Sequence, residues 1–475
     1  MPTSLKKNYL YNFLFQMFSL LIPLATTPHV LRALEADGVG TYSYVQSIAT
    51  YFSLVAALGI SYYGTREAAR IRDSKRKLSL LFYELSILRI FTTVLCLVVY
   101  FALVGISADN AKVYVGMSFI ILAVMFDFNW FFHAMENFKI LAGRNFLIKI
   151  ITVILIFAFV RDEDDLLIYV LIQAGSVLVA NAALAPALKK YLTRVSFRSI
   201  RPFRHLKGTV VYFIPTIATS VYTVLDKTLL GFITRDMTEN GYYEEARKIV
   251  NILLTVVTSL STVVGVRISY LFAHKKDEDI KNHIGNTFRF LFAISFPLTL
   301  GLIACADNFV IWFFGEEYKQ VTSLIMLLSP IVVIIGISNV IDNLYLTPGG
   351  QRSRSNKAIV SGAVCNVILN LLLIPHFGAY GTVISSIAAE TVISAMYAYF
   401  LREYIGIRGI AKMAVKYMLF SAIMFIPVFL VGKIIDTGVL TSLVQVCVGV
   451  IVYVIALLVT KDPMIGLVKN KIGDK

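Results

Sequence analysis

The sequence predicts an all-α, polytopic membrane protein of about 14 transmembrane helices, and three observations lead to that prediction. Hydrophobic residues make up 57% of the 475-residue chain and charged residues only 15%, which a soluble protein of this length does not match. The mean hydropathy is +0.75. Apolar stretches of about 20 residues, enough to cross some 30 Å of hydrocarbon, recur with short polar gaps between them. They are too long and too continuous for the strands of an outer-membrane barrel.

Apolar runs bounded by charged or turn residues place these spans in two sets of six and a final pair. The first set covers residues 9–34, 41–64, 80–105, 113–134, 146–160 and 166–188. The second set covers 209–232, 249–266, 287–311, 321–346, 358–375 and 381–401, and the pair covers 415–435 and 440–460. We therefore expect a six-helix bundle over 1–188, a basic cytoplasmic linker over 189–208, a second six-helix bundle over 209–401, and two extra helices with a cytoplasmic tail over 402–475.

The lysines and arginines in the gaps between spans predict the orientation of the chain. With the amino terminus in the cytoplasm, most of these residues fall on the cytoplasmic side, among them Arg144 and the clusters at 66–77 and 189–207. The positive-inside rule then places both termini in the cytoplasm, with the protein in a bacterial cytoplasmic membrane. This placement accounts for the net charge of +15 without a nucleic-acid partner. The four cysteines lie in apolar runs without metal-ligand spacing, so we expect neither a metal nor a cofactor.

A weak internal repeat relates the two sets of spans. A shift of 201 residues pairs Gly40, Tyr42, Ile48, Val55, Gly64 and Arg66 with Gly241, Tyr243, Ile249, Val256, Gly265 and Arg267. The shift maps span two onto span eight, as two parallel six-span halves require. A central cavity between two bundles and a rocking motion that exposes it to each face in turn follow from such a repeat.

Short segments in a particular order carry a resemblance to a known family. They are GVGTYSYVQSI, LGISYYGTREAAR, FDFNWFFHAMENFKIL with GRNF, VLDKTLLGF, NGYYEEARKIV, WFFGEEY and CNVILNLLLIPHFGAYGTVISSIAAE. In order and spacing they resemble the polysaccharide transporter family of the multidrug, oligosaccharidyl-lipid and polysaccharide flippase superfamily, the Wzx-like oligosaccharide flippases. The resemblance implies two six-helix bundles around a central cavity, with two extra carboxy-terminal helices. It also implies flipping of undecaprenyl-pyrophosphate-linked oligosaccharide repeat units to the outer leaflet, for capsule or O-antigen biosynthesis.

Ionisable residues inside the spans mark candidate functional positions. Each costs at least about 2.5–3.5 kcal/mol at membrane depth, so each needs a partner, water or a function. The acidic and basic residues so placed are Glu84, Arg89, Asp127, Asp226, Lys227, Asp342 and Glu390. A transported diphosphate needs cations, and Arg89 and Lys227 are the candidates. The other interpretation is that each pairs with a carboxylate to hold helices together, or reaches to the membrane interface.

Polar residues near these cations are candidates for sugar binding and ion coupling. Asp127 and Asn129 in span four, Asp226 in span seven and Asp342 in span ten could bind sugar hydroxyls, or pair helices through hydrogen bonds. Transport driven by H⁺ or Na⁺ would use an intramembrane carboxylate, and Glu390 or Asp127 are the candidates.

Three other functions compete with the flippase. A drug or metabolite antiporter of the same superfamily would need an acidic cavity. A membrane enzyme acting on lipid-linked sugars would carry a long external loop, which the short gaps do not provide. A structural membrane protein would not need buried charges of both signs. We therefore expect a transporter and not an enzyme, with the lipid-linked oligosaccharide, membrane lipids and other polysaccharide assembly proteins as its partners.

Overall fold

Helices form all the regular structure in the part of the chain that the computed structural model describes. It describes residues 5–104 and 110–465, and the side chains of these except 5–21, 23, 104, 214–223, 260, 262, 263 and 266. The first helices are α1 (Leu5–Ala57), α2 (Ile60–Ile71), α3 (Lys75–Val104), α4 (Ala111–Met125), α5 (Asn129–Ala134), α6 (Phe138–Phe159), α7 (Leu166–Ala182) and α8 (Ala185–Leu188). The others are α9 (Leu206–Thr234), α10 (Met237–Ala273), α11 (Asp277–Phe313), α12 (Lys319–Leu328), α13 (Ile331–Ile341), α14 (Arg352–Leu401), α15 (Ile407–Ile434) and α16 (Val439–Val459).

Among the described residues, nine helical stretches are long and apolar enough to cross a membrane, and a tenth is added if the bent pair Glu316–Leu328 and Ile331–Leu346 counts as one span. The prediction of a polytopic, all-α membrane protein is thus confirmed. Because the lipid offers no hydrogen bonds, the backbone of each apolar run must satisfy its own polar groups, and the helix does so.

Two of the longest helices are each interrupted once. Helix α1 contains Glu35 at φ 55°, which divides it into arms at 5–34 and 36–57. Helix α14 contains Gly378 at φ 51°, which divides it into arms at 352–377 and 379–401. A left-handed residue cannot continue an α-helix, so the chain changes direction at both points. The two interruptions fall between the predicted spans one and two, and eleven and twelve.

One helix begins well before the span predicted within it. The sequence places span eight at 249–266, but α10 begins at Met237. The additional residues are polar, and one of them, Glu245, is buried and accepts a hydrogen bond from Lys248 Nζ over 2.6 Å. Hydropathy misses this first part of α10 because its residues are polar. The ion pair between Glu245 and Lys248 stabilises two of its charges.

The chain divides into two compact units, one of residues 1–231 with 236–241 and the other of 232–235 with 242–475. In the first unit α4 packs against α1, α3 and α7, and α2 packs against α3 and α5. Its buried core next to α5 includes Ile60, Leu85, Trp130, Phe131 and Phe132. In the second unit α11 packs against α13, α15 and α16.

Two glycines bring main chains together within the first unit. A Cβ atom added to Gly40 would overlap the carbonyl oxygen of Met237, and one added to Gly241 would overlap that of Ala36. The start of the α1 arm 36–57 therefore meets the start of α10 backbone to backbone. Gly40 and Gly241 are the first pair that the internal repeat aligns.

Polar contacts fix the last two helices to α11 in the second unit. Asn308 on α11 donates to Ser442 Oγ over 2.7 Å, and its Oδ1 accepts from the Gly438 N–H over 2.8 Å. Gln445 on α16 donates to the carbonyl oxygens of Ala304 and Val428 over 3.3 and 3.1 Å. Buried amide groups that bond main-chain carbonyls on two neighbours hold three helices in one register.

Candidate functional site

The candidate site forms around a break in span four. Helix α4 ends at Met125 and α5 begins at Asn129, so residues 126–128 are not helical. Asp127 Oδ1 accepts hydrogen bonds from the backbone N–H of Asn129 over 3.1 Å and from its side-chain amide over 2.6 Å. Such local bonds from an aspartate compete with the helix ladder. The break exposes the carbonyl oxygen of Asp127 to another donor.

Arg89 on α3 supplies that donor. Its side chain is only 2% exposed, and its Nη1 donates to the carbonyl oxygen of Asp127 and lies 3.4 Å from the carboxylate oxygen Oδ2. Its Nη2 donates to Ser61 Oγ on α2 over 3.1 Å, and this hydroxyl in turn donates to Asp127 Oδ2 over 3.2 Å. A buried guanidinium thus binds the broken helix through both charge and hydrogen bonds.

Arg144 on α6 approaches the same break from the other side. Its Nη2 donates to Asn129 Oδ1 over 2.9 Å, and its Nη1 donates to the carbonyl oxygen of Ala180 over 2.7 Å. Asn129 also donates to Asn181 Oδ1 on α7 over 3.3 Å, and Asn181 donates to the carbonyl oxygen of Ala123 over 2.9 Å. We call Ser61, Arg89, Asp127, Asn129, Arg144 and Asn181 the Arg89–Asp127 network.

The network carries more positive than negative charge. It holds two guanidinium groups, which stay protonated in proteins, and a single carboxylate, Asp127. The Nε atoms of Arg89 and Arg144 are buried, and neither has a hydrogen-bond partner among the described residues. The carboxylate is 22% exposed, so the network is not closed off on every side. An arrangement with surplus positive charge and unused donors is suited to an anionic ligand.

The other candidate residues, Asp226, Lys227, Asp342 and Glu390, lie on helices that do not contribute to this network. On α9, Asp226 is 6% exposed, and the carbonyl oxygen of Lys227 accepts from Asn240 over 3.0 Å. In the second unit Asp342 begins the π-helical turn Asp342–Leu346, and its Oδ1 accepts from Thr347 Oγ1 over 3.4 Å. Glu390 on α14 is 9% exposed.

Glu84 has a different role from its neighbours in span three. It is fully buried, and it binds the basic linker: its Oε1 accepts from the Arg201 N–H over 2.8 Å. Its Oε2 accepts from Arg204 Nη2 over 2.6 Å and lies 2.9 Å from His205 Nε2. The linker therefore folds back on α3 and supplies the partners that a carboxylate in an apolar run needs.

Sequence analysis missed Arg144, Ser61 and Asn181. Arg144 was assigned to the cytoplasmic gap because basic residues near span ends follow the positive-inside rule. The signal that could have found it is its position in GRNF, six residues inside α6. Ser61 and Asn181 are uncharged, and nothing in the hydropathy distinguishes them from ordinary polar residues of a helix.

These features define a polytopic helical membrane protein with a buried polar network, the architecture of a membrane transporter. The chain belongs to the family described as "Polysaccharide biosynthesis protein", whose model matches residues 5–269. The MatE family model matches residues 243–372. The resemblance read from the sequence is thus confirmed.

Two named relatives and one solved structure are similar to this chain. The chain is 24% identical over 405 residues to the Escherichia coli (strain K12) protein named "Putative O-antigen transporter", an alignment that covers 84% of this chain and 97% of the relative. It is 23% identical over 294 residues to the Haloferax volcanii protein named "Probable low-salt glycan biosynthesis flippase Agl15", covering 61% and 59%. The structure titled "Lipid II flippase MurJ, inward closed conformation" shares the fold with a TM-score of 0.71 at 16% identity, covering 96% of this chain and 100% of that one. The family and the two relatives place the chain among membrane transporters and not among enzymes, as the sequence predicted.

Proposed function

We propose that this protein is a flippase that moves undecaprenyl-diphosphate-linked oligosaccharide repeat units from the cytoplasmic to the outer leaflet of a bacterial cytoplasmic membrane. The polymer built from them would be a capsule or O-antigen. Membership of the polysaccharide biosynthesis family and the names of the two relatives support the class of substrate. The observation that carries the proposal is the positive surplus of the Arg89–Asp127 network.

The sign of that charge separates the flippase from its nearest competitor. Two arginines face one aspartate in the network, and a diphosphate brings the negative charge that this arrangement lacks. An antiporter of cationic drugs would need the opposite balance at its binding site. The MatE match over residues 243–372 makes the antiporter the second candidate.

The proposed topology has 14 crossings with both termini in the cytoplasm. Helices α1 and α14 would cross twice each, because Glu35 and Gly378 turn them back. Helices α9 and α10 would cross once each, and the bent stretch Glu316–Leu346 would form one crossing.

Four further residues are proposed to contact the phosphate and sugar groups of the substrate: Asn129, Asp226, Lys227 and Asp342.

Replacing Arg144 by glutamine should slow lipid transport at least about tenfold, the equivalent of one charge-assisted hydrogen bond of about 1.5–3 kcal/mol. The measurement uses purified protein in liposomes with a labelled polyprenyl-diphosphate oligosaccharide, and scores the label that becomes accessible in the opposite leaflet. Arg144→Lys keeps the charge but loses the planar fork, so it should be slowed less. Arg161→Gln, at an exposed arginine beyond the end of α6, is the matched control.

Two results would refute the proposal. One is wild-type protein that moves no diphosphate lipid but exports a small cation, which would establish the antiporter. The other is an Arg144→Gln protein that elutes as a folded monodisperse species and transports at the wild-type rate, which would remove the network from the transport path.

We further propose that an H⁺ or Na⁺ gradient drives transport through Glu390. Glu390 is a buried carboxylate on the α14 arm 379–401, and a buried intramembrane carboxylate is the kind of group through which an ion gradient can act. Asp127 is the other candidate. Glu390→Gln keeps the shape of the side chain and removes its charge, so transport should continue without responding to an imposed gradient. The same liposome assay with and without each gradient checks this, and an undiminished response in Glu390→Gln would rule out the role.

The close contact between the arm 36–57 and the start of α10 should depend on the absence of a side chain at Gly40. In the proposed topology the arm 36–57 and α10 both begin at the outer face, where Gly40 lets their main chains approach one another. Gly40→Val should force the two starts apart, because the side chain would overlap the Met237 carbonyl. Ser47→Cys, in a background without the four native cysteines, should then react several-fold faster with an impermeant thiol reagent added outside.

The matched control for this experiment is Gly175→Val, since a Cβ on Gly175 would meet no neighbouring atom within 4 Å. It should leave the reactivity of the thiol introduced by Ser47→Cys unchanged. Equal reactivity in the Gly40→Val and Gly175→Val proteins would show that the packing around Ser47 does not depend on the Gly40 contact.

A further inference from the structure

The basic linker between α8 and α9 is held to α3 at two points. The N–H of Thr193 donates to Ser79 Oγ on α3 over 2.8 Å. Further along, Glu84 of the same helix binds the N–H of Arg201 and the side chains of Arg204 and His205. His205 Nδ1 also lies 2.8 Å from the hydroxyl of Tyr63 on α2. The linker is therefore positioned by buried hydrogen bonds.

The residues between and beside these two points present aromatic side chains to the surroundings. Phe197, in the turn Phe197–Ser199, is 82% exposed, and Phe203 is 58% exposed. Apolar surface is unfavourable in water, so two rings that an ordered segment holds outward should be covered by another molecule. Exposed rings of this kind mark an interaction surface.

Arginines surround the two rings. Arg194, Arg198 and Arg201 are all exposed, and none of them has a carboxylate within salt-bridge distance in the part of the chain that the structure describes. Arg204, the fourth arginine of the linker, differs from these three because Glu84 balances its charge. The surface thus combines apolar rings with unbalanced positive charge, a combination suited to the boundary between acyl chains and anionic head groups.

The continuity of this surface with α3 indicates a membrane and not an acidic protein. The exposed apolar residues of α3 recur with helical spacing along one side of a candidate span: Ile90, Phe91, Val94, Leu95, Val98 and Val99. Phe203 contacts the first turn of this stripe, with its ring centroid 5.5 Å from that of Phe91. The aromatic linker surface therefore begins where the lipid-facing side of the span ends.

We propose that the segment Arg194–Phe203 is a docking surface for anionic phospholipid. Phe197 and Phe203 lie among the upper acyl chains, and Arg194, Arg198 and Arg201 bind phosphate groups of the leaflet. Basic residues near an anionic surface are attracted to it, and salt screens this attraction. The surface shares no residue with the Arg89–Asp127 network.

Two measurements on the full-length protein test the proposal. In the first, phosphatidylglycerol is titrated into the detergent-solubilised protein, and the unfolding temperature is followed. It should rise, and the rise should shrink at high salt. Arg194→Gln with Arg198→Gln should lose most of the rise, whereas Lys275→Gln with Lys276→Gln, which removes the same charge from another exposed gap, should keep it. Equal rises in the two double variants would overturn the proposal.

The second measurement locates the aromatic residue. The Phe197→Trp protein is placed in bilayers that contain phosphatidylglycerol brominated near the head group, and the emission of Trp130 and Trp312 in the parent protein is subtracted. The introduced indole should be quenched, and more strongly with brominated phosphatidylglycerol than with brominated phosphatidylcholine. An unquenched indole would show that the linker faces water.

Inorganic phosphate is the control for the unfolding-temperature measurement. At the same concentration as phosphatidylglycerol it should not raise the unfolding temperature; an equal rise would indicate a site for free anions in place of a lipid surface.

Discussion

A guanidinium buried at membrane depth must find its counter-charge and its acceptors within the protein, and the contact of Arg89 with the break at Asp127 meets this requirement. An arginine on one helix and an interrupted neighbour are each unfavourable alone. Together they satisfy one another: the arginine binds the freed carbonyl oxygen and the carboxylate of the same residue. Helices α2, α3, α6 and α7 all contact residues in or beside this break through a polar side chain.

This dependence also gives the network its chemical character. Arg144 adds a second positive charge without a second carboxylate. Hydrogen bonds therefore order the region, but its positive charge exceeds its negative charge. An anion that entered would find donors already oriented, and little ordering would remain to oppose binding. Glu84 is a buried negative charge that likewise needs partners within the protein. The basic linker folds back against α3 and supplies them.

Hydropathy was sufficient to predict an all-helical membrane protein because lipid forces every apolar run to satisfy its own backbone. It also identified Arg89, Asp127 and Glu84, since charge is conspicuous in such runs. It could not assign their partners. Glu84 pairs with a linker more than a hundred residues away, and Arg144 obeys the rule for interfacial cations although it lies within α6. The early start of α10 was missed because an ion pair, and not hydrophobicity, carries that part of the helix. Pairing depends on distances in the fold, which periodicity does not encode.

The central claim is tested most directly by comparing the affinities of the protein for two ligands that differ only in the diphosphate group. Purified protein would be titrated with a short-chain isoprenyl diphosphate and, separately, with the matching isoprenyl alcohol, for the wild type and for Arg144→Gln. The account predicts that the wild type binds the diphosphate at least about tenfold more tightly than the alcohol, a difference of about 1.4 kcal/mol, and that Arg144→Gln loses most of this preference. Equal affinities for the two ligands in the wild type would contradict it.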